Sequence, residues 1–443
     1  MHRRHFIARS TGWTTAAWTA GRLAAPATAR SGGANQRIGV AVMGLRGRGG
    51  RLLSSFAQRD DVEVLYVCDV DRRVLSQRLE TTEKQTGRRP QAITDFRKAL
   101  DDPAVDALVN GAPDHWHAIP TIMACQAGKD VYVEKPDGHN ILESRTMVAA
   151  ARKYGRIVQM GTQGRSAAHL LEAMKYLEKG SLGTVRFAKG WESSRQGSIG
   201  HPPDSQPPPE VDYDMWLGPA PKRPFNIRRF HGCWRWFFDY GTGDLGNDGV
   251  HLLDMARRAL ETAAAAQGET VPRLPEKVSA HGGKYYFDDD QQWPDTMMVT
   301  YDYNRYVITY ELRIWSPYPL EGEREGACVC GDEGYMVLGH RRWRAFDRQG
   351  RQVAEGSGPD STGEHVANFL ECMRSRQKPA ADLETVGHFS SLLCHLGNAA
   401  WRAGRTLEYD PQTGTFPNDP EANQFLTRPQ YRPPWLLPAA SEL

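Results

Sequence analysis

The group best placed to do chemistry is Lys135, which follows the apolar run Val131-Tyr132-Val133 and Glu134 and precedes Pro136. Pro136 cannot donate to a sheet ladder, and it pushes Lys135 towards an extended backbone. The strand is therefore expected to stop there and to present the amine at its carboxyl end, where open α/β sheets bind ligands. A lysine so placed can polarise a hydroxyl or carbonyl, or carry a proton once burial lowers its pKa.

A second group of residues can hold a nucleotide. The buried-strand run Ile38-Gly39-Val40-Ala41-Val42-Met43 leads directly into Gly44-Leu45-Arg46-Gly47-Arg48-Gly49-Gly50, and Arg51 to Phe56 reads as a helix. Strand, glycine turn and helix in this order form the context in which backbone approaches a pyrophosphate and a helix N-terminus faces the anion. Gly44 and Gly49 match the first and third glycines of the usual motif, Gly47 adds flexibility, and Arg46 stands where the second glycine belongs. The next strand, Val62 to Cys68, ends in Asp69, 25 positions after Gly44. A carboxylate there accepts ribose hydroxyls and repels a 2′-phosphate, favouring NAD(H), while Arg72 and Arg73 leave some room for NADP(H).

The elements that must position these groups alternate. Helical segments (about Asp95–Leu100, Ile119–Ala127 and Leu142–Tyr154) separate strands at Val105–Asn110, Val131–Val133 and Ile157–Met160. Such alternation predicts a parallel, doubly wound sheet. His115 and His117 lie near one helix start without a carboxylate cluster, so they read as cap or site-lining groups, and no metal site is expected. After Gly161-Thr162-Gln163 the pattern changes. A helix at Ala167–Lys179 precedes a strand at Thr184–Trp191, a proline-rich excursion at Gly197–Glu210, and strands at Lys277–Tyr286, Thr296–Tyr303 and Tyr306–Trp315. The last two are joined as a hairpin at Asn304-Arg305, and short glycine-punctuated strands continue to about Phe346. Helices at Glu364–Arg374 and Val386–Ala403 precede an irregular tail expected to pack on the first domain.

A chain of 443 residues with net charge +2 is long enough for two domains and carries no basic stripe, so nucleic acid is not an expected partner. The seven scattered cysteines predict neither a disulfide framework nor a zinc site, although Cys328 and Cys330 would share a strand face. The start differs in character. Arg3-Arg4, a weakly apolar stretch from Ile7 to Ala25 and Ala27-Thr28-Ala29 resemble a twin-arginine export signal over 1–29, too polar and short for a stable membrane anchor.

Glycine turn, Asp69, Ala112-Pro113 with His117, and Glu134-Lys135-Pro136, in this order, resemble the Gfo/Idh/MocA oxidoreductases. The likeness continues through Asp212–Pro221, Trp234–Gly241, Gly243–His251, Val366–Phe369 and Pro429–Trp435, the pattern of exported bacterial members. The resemblance implies an α/β chain with a Rossmann domain over 36–163. It further implies an α+β substrate and oligomerisation domain over 164–443, built on a large, mostly antiparallel sheet through which relatives form homo-oligomers. It also implies a cofactor site of Gly44, Arg46, Gly47, Arg48, Gly49, Asp69, Ala112, Pro113, His117, Glu134, Lys135 and Gln163.

In the family, the lysine works with a D-x-x-x-H pair on a helix of the second domain. His251 fills the histidine place and Asn247 stands where the aspartate would be. Asn247 can orient a hydroxyl but cannot take a proton, so the relay must run through Lys135, His251 or water. On one continuous helix Asp248 would point about 100° from Asn247, while Asp254 could orient His251. Trp191, Arg235, Trp236 and Tyr240 are the candidates for holding a sugar, with Asp248 beside them.

The expected function is that of an exported, NAD-dependent oxidoreductase that passes hydride between a sugar or polyol carbinol and a tightly held cofactor. Free NAD is scarce outside the cytoplasm. A retained cofactor would allow oxidation of one sugar with reduction of another, or transient oxidation, elimination and re-reduction of a glycoside. A catalytically silent sugar-binding protein is the alternative from another class, motivated by Arg46 and Asn247.

Overall fold

The computed structural model describes residues 37–439 and 441–443, which form one compact unit, and the expected export signal over 1–29 lies outside them. Six short runs make a wholly parallel sheet: β1 (Ile38–Met43), β2 (Val62–Cys68), β3 (Gln91–Ile93), β4 (Ala107–Asn110), β5 (Asp130–Val133) and β6 (Val158–Met160), in the order β3-β2-β1-β4-β5-β6. Every residue of β1, β4, β5 and β6 is buried, because helices cover both faces, as parallel sheets require. The strand β3 was not foreseen. Its three residues carry no apolar run, and two are exposed; only its pairing with Tyr66–Cys68 makes it a strand.

The second sheet has nine strands. They are β7 (Val185–Ser193), β8 (Lys277–Gly283), β9 (Thr296–Asp302), β10 (Val307–Arg313), β11 (Glu325–Gly331), β12 (Gly334–Gly339), β13 (Arg342–Asp347), β14 (Gln352–Ser357) and β15 (Leu407–Glu408). Their order is β14-β13-β12-β11-β7-β10-β9-β8-β15, and all pairs are antiparallel except β7 with β10. Alternation along β10 is strict: Ile308, Tyr310 and Leu312 are buried, and the residues between them are partly exposed. The buried set packs against helices Gly249–Ala265 and His388–Ala403. The opposite face carries the Lys189–Glu311 ion pair (2.6 Å) and a strip around Cys328, Cys330, Tyr335 and Phe346, with the two cysteine sulfurs 3.6 Å apart as free thiols.

Two features join the sheets into one unit. Residues 194–242 leave β7 and cross to the first domain, forming their own aromatic cluster of Val211, Trp216, Phe225, Phe230, Trp236, Phe237 and Tyr240. The tail also returns to the first domain, as expected. Arg428 meets Glu143 at 3.3 Å with both side chains almost wholly buried, and Trp435 packs against Phe96 and Trp116. Among the described residues no helix is long and apolar enough to cross a membrane.

Candidate active site

The glycine turn follows from sterics. Gly44 has φ +74°, and a Cβ there would lie 2.5 Å from the Ala112 backbone; one at Gly49 would lie 1.6 Å from the Gly44 carbonyl oxygen. These two glycines let β1, the following helix (Gly47–Ala57) and the end of β4 approach closely. Arg46 is different. Its φ is −87°, open to any residue, so replacing the usual glycine leaves the turn undistorted and puts a guanidinium at the helix N-terminus.

A cavity of about 390 Å³ lies above this turn, lined by Gly44, Arg46, Gly47, Arg48, Asp69, Ala112, Pro113, His117, Glu134, Lys135 and Asn247, among others. Asp69 accepts the Leu45 N–H at 2.8 Å through Oδ2 and the Asp71 N–H at 3.0 Å through Oδ1, leaving each oxygen a further acceptor position. Burial raises its pKa, with those amides opposing the shift. Arg73 is held by Asp71 through two side-chain contacts (2.9 and 2.8 Å). That guanidinium is therefore committed rather than free for a 2′-phosphate.

Glu134 ties the turn to the end of β5. It accepts Arg48 Nε at 2.9 Å and Gln163 Nε2 at 3.3 Å through Oε1, and the Lys135 N–H at 3.3 Å through Oε2. Gln163 also reaches the Tyr132 hydroxyl (3.1 Å) and stands behind the cavity wall rather than on it. His117 joins two loops, its ring nitrogens facing the carbonyl oxygens of Pro136 (2.5 Å) and Ala112 (2.8 Å). His115 does not line the cavity. It is buried between the carbonyls of Trp216 and Tyr240, and desolvation pulls its pKa down to about 3.

Lys135 Nζ donates to both oxygens of Asn247, the backbone carbonyl at 2.5 Å and Oδ1 at 2.9 Å. The helix expected to carry Asn247 and His251 on one face is broken. A short helix, Gly243–Asn247, ends at Asp248 before Gly249–Ala265 begins, with Gly246 and Gly249 on either side of the break. As a result Asp248 is turned back, and its Oδ2 accepts Asn247 Nδ2 at 2.9 Å. The expectation that it points away fails for this reason. Asp254 does not orient His251. It takes a fork from Arg165 (two contacts of 2.7 Å) and a 2.6 Å bond from Ser390.

Burial, and next the nearby Lys135 charge, hold His251 well below the usual imidazole range, so it is neutral. Its ring meets that of His340 edge-on at 5.9 Å, and His340 Nε2 bonds Glu325 Oε2 at 3.1 Å. Burial lowers the His340 pKa, but Glu325 outweighs it and the net shift is upward. Beside these groups Glu192, Asp244 and Asp248 bring carboxylate oxygens within 4.8 Å of one another. Ser194, Gln196, Trp236 and Asn247 already donate to them. Burial raises the pKa values of Glu192 and Asp244, favouring their protonated forms.

Of the four candidates for holding a sugar, only Arg235 is on the cavity wall. Trp191 is buried with its indole N–H on the Glu323 carbonyl (2.9 Å), Trp236 is buried with its N–H on Asp244 (2.5 Å), and Tyr240 packs against His115 and Trp216. Trp236 and Tyr240 serve packing because the excursion must build a core of its own, and Trp191 packs on β7 against Cys328 and Val337. Sequence reasoning missed His231, Trp234 and Met215 on the wall, the buried Asp114 beneath it, and the His340–Glu325 pair. Asp114 alone had a local signal, its place beside Ala112-Pro113.

The residues fit a dinucleotide. The glycine turn, Asp69 and Lys135 face one cavity, and among the described residues Arg48 Nη2 and Arg235 Nε are buried without partners. Residues 38–162 match the description "Oxidoreductase family, NAD-binding Rossmann fold", and residues 185–312 and 319–437 match "Oxidoreductase family, C-terminal alpha/beta domain". The chain belongs to the Gfo/Idh/MocA oxidoreductase family.

This Gfo/Idh/MocA protein is 25% identical over 193 residues to the levoglucosan dehydrogenase of Pseudarthrobacter phenanthrenivorans, covering 43% of this chain and 42% of that one. It is 24% identical over 241 residues to glycosyl hydrolase family 109 protein 1 of a Shewanella species (strain ANA-3), covering 45% and 52%. The chain thus spans about half the length of the curated relatives it matches. Its fold is that of the aldose-aldose oxidoreductase of Caulobacter crescentus crystallised with glycerol, with a TM-score of 0.63, 21% identity, and coverage of 84% of this chain and 100% of that one.

Proposed function

We propose that this protein is an NAD-dependent oxidoreductase acting on the CH–OH groups of a carbohydrate or polyol. The observation that carries the reading is Lys135 at the end of the cofactor cavity, its ammonium aimed by both oxygens of Asn247. A bound nicotinamide supplies a two-electron hydride acceptor and donor. The chain's residues manage the proton: as the carbinol carbon gives up hydride, the hydroxyl proton passes to the neutral His251, or to Lys135 in its neutral amine form. Asn247 orients and does not accept it. The relatives, a levoglucosan dehydrogenase and an aldose-aldose oxidoreductase, support this class of substrate.

A second reading is glycoside cleavage by transient oxidation, elimination and re-reduction, and the glycosyl hydrolase relative favours it. The adjacent carboxyls of Glu192, Asp244 and Asp248 offer several acid groups to such a route. The silent sugar-binding alternative weakens because Arg46 leaves the turn intact and Asn247 engages Lys135 directly. We also propose export through the twin-arginine signal and self-association through the open face of the nine-stranded sheet.

The test is to purify the mature protein without added nucleotide, denature it, and assay the supernatant for NAD(H) and NADP(H). The intact protein is then offered aldoses, polyols and aryl glycosides while nicotinamide absorbance is followed. Stoichiometric NAD(H) with sugar-dependent absorbance changes is the expected result. A protein that neither contains nor binds either dinucleotide would sink the oxidoreductase reading.

A further inference from the structure

One wall of the cavity does not come from the Rossmann domain. Met215, Trp216, His231, Gly232, Trp234 and Arg235 all belong to the 194–242 excursion and face the glycine turn across the opening. The excursion is fastened to the first domain along its length. The Arg72 N–H donates to the Glu210 carbonyl and the Asp212 N–H to the Val70 carbonyl, both at 3.0 Å, directly beyond Asp69. Near its far end Thr242 Oγ1 donates to the buried Asp114 at 2.8 Å. In between, Trp216 receives the indole N–H of Trp116 at 2.9 Å, and the tail residue Arg432 holds the Gly218 carbonyl at 2.9 Å.

Its middle is latched as well. His231 Nε2 meets Asp71 Oδ2 at 2.9 Å, and Asp71 is fully buried. His231 itself has φ +28° and Gly232 φ +81°. A non-glycine residue at positive φ persists where its surroundings hold it, and here the Asp71 contact does so. The reversal at His231-Gly232 sends the chain back into the cavity and places Trp234 and Arg235 on its wall. His231 lies at the Asp69–Asp71 end, where an adenosine ribose would sit. Arg235 lies at the other end, where it and Lys135 share Asp114 as an electrostatic neighbour. Among the described residues the Arg235 Nε is buried without a partner. Five consecutive residues therefore run from the ribose end to the lysine end.

We infer that His231, Trp234 and Arg235 are cofactor-retaining residues: they form the outer wall of the dinucleotide site, and the His231–Asp71 latch sets how slowly the nucleotide exchanges with solution. The inference rests on the reading of this cavity as an NAD site and adds how the cofactor stays through a cycle. Trp234 supplies apolar cover, Arg235 a free donor to the nucleotide, and His231 the fastening. A nucleotide leaving the site must displace a segment secured at both ends and in the middle.

The test is nucleotide exchange on the whole mature protein. Protein loaded with NAD is mixed with excess NAD deuterated in the nicotinamide ring, desalted at intervals, and the bound nucleotide is weighed by mass spectrometry. Wild type is expected to exchange slowly, and Trp234→Ala, Arg235→Met and His231→Ala to exchange at least about tenfold faster, the loss appearing in the off-rate. His231→Gln keeps a donor for Asp71 and is expected to recover much of the slow exchange. Unaltered far-ultraviolet circular dichroism identifies the variants that fold, and any one folded variant suffices. Exchange in folded variants at the wild-type rate would overturn the retaining wall while leaving the NAD reading intact. A wild-type protein that binds no dinucleotide would overturn both.

Discussion

Lys135 and Asn247, 112 positions apart and on different domains, meet through two hydrogen bonds from one ammonium: 2.5 Å to the Asn247 carbonyl and 2.9 Å to its amide oxygen. An aspartate at 247 would be an ion-pair partner and a proton acceptor. Asparagine keeps the geometry and gives up the charge. The lysine is thereby aimed by neutral oxygens rather than by a directly bonded carboxylate, and the neighbouring Asp248 engages the other side of the Asn247 amide.

Removing the amine tests its role directly. Lys135→Ala is expected to retain bound dinucleotide, because the glycine turn, Asp69 and His117 are untouched, and to lose roughly 10²–10⁴-fold in turnover, the range for a positioned acid or base. The checks are nucleotide content and single-turnover nicotinamide absorbance. Retained turnover would exclude Lys135 from the chemistry.

Restoring the carboxylate tests the asparagine. In Asn247→Asp a negative charge in contact with Lys135 favours the ammonium. The pH above which sugar oxidation reaches its plateau is expected to move up by roughly 1–2 units. A pH–rate profile superimposable on wild type would separate Asn247 from the proton-transfer step.

The His340–Glu325 pair makes a pH prediction about stability. Glu325 raises the pKa of the half-exposed His340 above its ordinary 6.5. A raised histidine pKa stabilises the fold fully below the unfolded value, and the benefit disappears as pH rises through the folded value. Glu325→Gln is therefore expected to lower the melting temperature most in mildly acid buffer, with the difference closing once pH exceeds the raised value. A difference that grew with pH would contradict the pairing.

Tyr240 supplies a test of the packing assignment. Its ring is buried among His115 and Trp216, and among the described residues its hydroxyl makes no well-formed hydrogen bond, Tyr213 being its polar neighbour. Leaving a buried hydroxyl unsatisfied costs roughly 1–3 kcal/mol. Tyr240→Phe is expected to leave the sugar KM unchanged and to raise the melting temperature slightly. A large rise in KM would put Tyr240 back among the substrate contacts.

The sequence by itself determined what depends on local pattern. Strand, glycine turn and helix follow from contiguous residues, and Pro136 ends β5 and presents Lys135 for the same reason. The alternation that specifies the first sheet, and the period-two pattern of β10 in the second, are likewise local. Even the family likeness is carried by short motifs in order. Only the tertiary structure decided the rest. The strand β3 exists because Tyr66–Cys68 offers an edge, not because Gln91–Ile93 demands one. Asp248 bonds the Asn247 amide at a break between two helices that spacing alone would run together. Which aromatics pack and which line the cavity depends on how residues 194–242 fold over the first domain, and a tryptophan reads the same in either place. His340 meets His251 because the strands of a nine-stranded sheet bring distant residues into register. Contacts between far-separated segments leave no periodic trace in either segment, and here those contacts build the outer half of the site.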